Sequence, residues 1–75
     1  MNHSLKQIAE FLSHCLPAVA STLLGVDEIS FSDSSHDELV SRLGDLSVCN
    51  PRVFGYILDS YMLNHYCMGK DAKLF

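Results

Sequence analysis

The chain has 75 residues and a mass of 8.4 kDa, with Lys+Arg 5 against Asp+Glu 9 and a net charge of -4. Its 48% hydrophobic content suits a folded domain, and a domain this small buries a thin core with little room for a catalytic cavity. A pI near 5.3 argues against a basic footprint for nucleic acid, and the uncharged run from Phe11 to Val26 is shorter than the ~20 apolar residues of a membrane helix.

Ser4-Leu5-Lys6-Gln7 opens the chain with a capping-box pattern. At 100° per residue, Leu5, Ile8, Ala9, Phe11, Leu12, Cys15, Leu16, Val19, Ala20, Leu23 and Leu24 fall on one arc. The phase runs through Pro17, which lands on the polar side. This predicts one helix over 4–24, kinked at Pro17 and ended by Gly25 as a left-handed cap. The rival is two helices separated at Leu16, since a residue before proline is biased toward extended geometry. Residues 25–35 read as a loop, with Ile29 and Phe31 as inward anchors.

Ser35-His36-Asp37-Glu38 is a second capping box, with carboxylates where the helix dipole favours them. It predicts a short middle helix over about 36–47 with Leu39, Val40, Leu43 and Leu46 on its apolar face and Gly44 as a weak point. Asn50-Pro51 starts a last helix over about 51–68, with Gly69 as its stop and 70–75 as a loose tail unless Leu74 and Phe75 dock. The first and last helices come to about 31 and 27 Å. The expected fold is all-α: a small three-helix bundle in a single domain, 1–75, its long first and last helices antiparallel.

The last helix is apolar on more than one side. Val53, Phe54, Ile57, Leu58, Tyr61, Met62, His65 and Met68 form the face expected to meet the first helix. Tyr56 and Leu63 point roughly the other way, flanked by Arg52, Asp59, Tyr66 and Cys67. Either the middle helix or the 25–35 segment wraps over this stripe, or it is an intermolecular contact. Aromatic residues beside an arginine are typical interface anchors, and a two-fold pair is the commonest way for a small protein to complete its core. Gly55 beside the stripe would let another backbone come close.

Six acidic residues, Asp27, Glu28, Asp33, Asp37, Glu38 and Asp45, share the span 27–45 with one base, Arg42. They read as a solvated surface or as a patch that steers toward a basic partner. Three cysteines and four histidines show no CxxC, HxxxH or HExxH spacing, so no metal site, cofactor or catalytic residue is assigned. Ala18-Val19-Ala20 mimics a cleavage site, but the preceding stretch carries Lys6, Gln7, Glu10, Ser13 and His14, so a reduced, cytoplasmic protein is expected.

Leu24-Gly25-Val26-Asp27-Glu28-Ile29 and Leu43-Gly44-Asp45-Leu46-Ser47-Val48 together resemble the first half of an acyl carrier protein. That resemblance implies phosphopantetheine attachment at Ser47, although Leu46 stands where the family has aspartate and too few residues follow for its remaining helices. The expected function is a small cytoplasmic interaction module, an adaptor or inhibitor that occupies another protein's surface, as a homodimer. Its interface residues are Arg52, Tyr56, Asp59, Leu63 and Tyr66. The alternatives are a small helical transcriptional regulator, whose recognition helix from Pro51 would offer only Arg52 near its start, and a carrier modified at Ser47.

Overall fold

The computed structural model describes residues 4–66 and 73–74. Among them it is all-α, with five helices in chain order: α1 (Leu5–Ser13), α2 (Pro17–Leu24), α3 (Glu28–Asp33), α4 (His36–Cys49) and α5 (Pro51–Tyr66).

The expected first helix is two helices. Ser4 and Gln7 form the predicted capping box on α1, and the helix ends at His14, whose N–H bonds Phe11 O at 3.1 Å. Leu16 is extended, at φ -61 and ψ 122, and Pro17 becomes the first residue of α2. The physical cause is the clash between a proline ring and a helical residue before it, which a break at Leu16 removes and a kink would leave in place. With the helix broken, the wheel phase no longer carries across. Ile8, Ala9, Phe11, Leu12 and Cys15 are buried as expected, but Leu16 is 72% exposed and Val19 is also exposed, while Ser21 is buried.

Gly25 ends α2 at φ 74, the left-handed conformation that glycine adopts without a Cβ penalty. The Val26 N–H reaches back to Ser21 O at 3.0 Å, closing the turn. The segment expected as loop then holds the six-residue α3. Asp27 is its N-cap: Oδ1 accepts from Ser30 N at 2.6 Å and Oδ2 from Ser30 Oγ at 3.1 Å. Phe31 turns inward, but Ile29 is 77% exposed, against the expectation that both anchor. A helical turn sends positions two apart to different sides, where an extended segment would have aligned them.

Ser35 and Glu38 close the second capping box on α4, which runs two residues past the expected end. Asn50, at φ -145, breaks the path, and its Oδ1 accepts from Val53 N at 3.4 Å to start α5. The core joins Ile8 and Leu12 of α1, Leu39 and Leu43 of α4, and Ile57 of α5, with Phe11 edge-on to Tyr61 at 5.7 Å. The three-helix layout therefore needs correcting: α1 packs chiefly against α4, not α5, and α4 is the central element rather than a short link. A Cβ at Gly44 would lie 3.8 Å from Leu5 Cδ1, so the glycine expected to weaken α4 sits in the α1 contact.

The expected stop at Gly69, the last turn through Met68, and 70–72 and Phe75 of the tail lie outside the described residues. Lys73 and Leu74 are tied down. Asn64 Nδ2 donates to Lys73 O at 2.7 Å, Lys73 N donates to Asn64 Oδ1 at 3.2 Å, and Leu74 packs half-buried against the core.

Candidate interaction surface

α5 decides where the expected stripe lies. Its buried residues are Ile57, Ser60 and Tyr61, which centre the core-facing side. The Ser60 hydroxyl donates to Tyr56 O at 2.9 Å, so a polar residue occupies the core line without an orphaned group. Opposite this side, at 100° per residue, Gly55, Tyr66, Asp59, Arg52 and Leu63 fall within about 80° of arc. Arg52 and Asp59 are exposed, Leu63 is 48% exposed and Tyr66 58%. Tyr56 stands at the edge of the arc, half-buried and packed against the core. Its ring belongs in part to the protomer's own interior, and the surface stripe centres on Asp59 and Leu63. His65, expected on the inner face, is exposed and stacks on Tyr61 at 5.9 Å, with Tyr66 edge-on at 5.0 Å.

Sequence periodicity missed other exposed apolar residues, foremost Val48 at 81%, in the last turn of α4 beside the start of α5. Leu16, Val19, Lys73 and Leu74 line an open recess of about 170 Å³ where the tail meets the α1–α2 break. A second, polar recess is lined by Ser4, Lys6, Gln7, Glu10 and His36. Among the described residues, no cluster of three or more His, Cys, Asp or Glu stands ready to hold a metal ion.

The acidic residues 27–45 are all exposed, and four of the six have local roles. Asp27 caps α3 and Glu38 completes the α4 capping box, while Glu28 and Asp37 sit in first turns, at the positive ends of the helix dipoles. Hydrogen bonds from the Ser30 backbone and hydroxyl hold the Asp27 carboxyl below its ordinary value of 3.8, with a smaller contribution from the Arg42 charge. Asp33 ends α3, and Asp45 lies within α4.

Ser47 is half-buried in the last turn of α4, and its hydroxyl donates to Gly44 O at 2.6 Å. Cys15 is buried, its thiol donating to Phe11 O at 3.3 Å, and burial pushes its pKa up to about 11. Cys49 is a free, exposed thiol, and Cys67 lies outside the described residues. No described helix is long and apolar enough to cross a membrane. No family model, curated protein or solved structure matches the chain.

Proposed function

We propose that this chain is a small protein–protein interaction module, an adaptor or inhibitor, whose docking face is the outward side of α5. The observation that carries the reading is the mixed character of that side: Leu63 and Tyr66 exposed beside Arg52 and Asp59. An apolar centre with charges at its rim is the composition of an interface, where burial supplies affinity and charge sets register. The acidic span 27–45 favours approach by a basic surface. A reducing, cytoplasmic setting fits the free thiol of Cys49. A prosthetic group on Ser47 draws no support from a half-buried hydroxyl already bonded to Gly44 O.

The test replaces one apolar residue on α5 and one elsewhere. Leu63→Asp is expected to abolish capture of a binding protein from the native host, while Ile29→Asp, on the exposed side of α3, is expected to leave capture intact. Equal capture by wild type and Leu63→Asp, with both folded by circular dichroism, removes the docking face from α5.

A further inference from the structure

The α5 face carries a pattern that is complementary to itself. Arg52 and Asp59 are the only acidic or Lys/Arg residues on α5, of opposite sign, and separated by two helical turns on one side. Both are exposed, and neither side chain engages a hydrogen bond or ion pair with another described residue. If a second α5 is laid antiparallel across the first, with Arg52 level with the partner's Asp59, the two-fold relation forces Asp59 level with the partner's Arg52. Each protomer then presents a residue i to j and j to i, as a closed two-fold contact requires.

That register has one further consequence, not used in setting it. The two-fold axis passes between positions 55 and 56, which puts Gly55 at the crossing. Within the protomer nothing demands glycine there: its φ is not positive, and an added Cβ would meet nothing within 4 Å. A glycine in a helix costs about 1 kcal/mol relative to alanine. A second backbone lying across this point gives that cost a use, since the missing side chain lets two helices approach closely. Leu63, 48% exposed, lies on the same side of α5 one turn beyond Asp59 and adds its apolar surface to this face.

We infer that two copies of this chain pair through antiparallel α5 helices crossing at Gly55, with Arg52 of each protomer on the partner's Asp59. This rests on the docking reading of the same face and names its occupant as a second copy.

Sedimentation across a concentration series tests the pairing by reversal of charge. The wild-type mass should rise from 8.4 kDa toward twice that value. Arg52→Asp and Asp59→Arg should each weaken association about tenfold or more, because like charges then face one another, and the double variant R52D/D59R should recover it. Both positions are exposed, so the variants are expected to fold, and circular dichroism checks that they do. Gly55→Cys, in a Cys49→Ser/Cys67→Ser background, should give a disulfide-linked dimer on mild oxidation. A wild-type chain that remains monomeric, or a double variant no better than the single ones, overturns the two-fold pairing. If that monomer still captures a host protein through Leu63, the docking face survives with a different occupant. If it captures nothing, both readings fall.

Discussion

α1, α4 and α5 contain all the largest fully buried side chains, Ile8, Leu12, Leu39, Leu43, Ile57 and Ser60, whereas α2 and α3 bury Ala20, Ser21 and Phe31. The first region is held by packing between helices. The second rests Phe31, Leu23 and Leu24 on the core, and local backbone devices set its ends: proline at the start of α2, a left-handed Gly25 at its end, and the Asp27 cap on α3. A helix of six to eight residues has little stability alone, so its caps and its neighbour decide whether it forms. Two kinds of stabilisation thus occupy adjacent stretches of one small chain, and they should fail differently.

The sharpest separation comes from deleting side chains. Leu12→Ala or Leu43→Ala should cost about 2–5 kcal/mol by urea denaturation, enough to unfold much of a domain this small. Leu16→Ala, at an exposed site of the second region, should stay within about 0.5 kcal/mol of wild type. If the two costs prove similar, the division into packed and capped regions is wrong. Gly25→Ala should destabilise by about 1 kcal/mol, because alanine is strained at φ 74. Gly44→Ala should go the other way, raising stability by about 0.5–1 kcal/mol, since the added Cβ makes an ordinary contact with Leu5 at 3.8 Å.

Titration sharpens the same comparison from both ends of the pH scale. Cys15 belongs to the packed region, and its thiol is raised from 9.0 to about 11. A raised acid stays neutral when folded while the unfolded thiol ionises, so stability should decline as pH climbs from about 9 toward 11. Peptide mapping after alkylation at mildly alkaline pH should find Cys49 modified and Cys15 protected. Asp27 belongs to the capped region, and its carboxyl is lowered from 3.8. Its contribution is present above that value and is lost as pH falls through the folded pKa. The effect is small for an exposed group, and should show as fraying of the Glu28–Asp33 amides in acid, before α1, whose capping box is Ser4 and Gln7, responds.

Helix ends were the most readable part of the chain. The capping boxes at Ser4 and Ser35, the left-handed Gly25 and the Asn50-Pro51 start all stand where local chemistry puts them. α3 had a signal too, in Asp27 with Glu28 behind it, but six residues leave no periodicity to detect. The stripe on α5 was legible as an excess of apolar residues, yet its centre was misplaced. Tyr56 reads as a surface ring, while the structure leans it on the core, and Ser60, absent from the expected inner face, is buried there. Val48 gave no sign of being exposed, because its burial depends on where Asn50 turns the chain.

Caps and breaks are decided within a few residues by sterics and by hydrogen bonds of the backbone to nearby side chains, so the amino-acid order alone determined the starts of α1, α4 and α5 and the end of α2. The all-α class followed from the same local rules. Which side of each helix meets another is a property of distant segments. The extended backbone at Leu16 sent α2 in a new direction, α4 rather than α5 became the partner of α1, and Leu74 came to rest against the core with its neighbour Lys73 tied to Asn64. Only the tertiary structure settled these points, because burial is shared between residues far apart in the chain and no local spacing records which of them will meet.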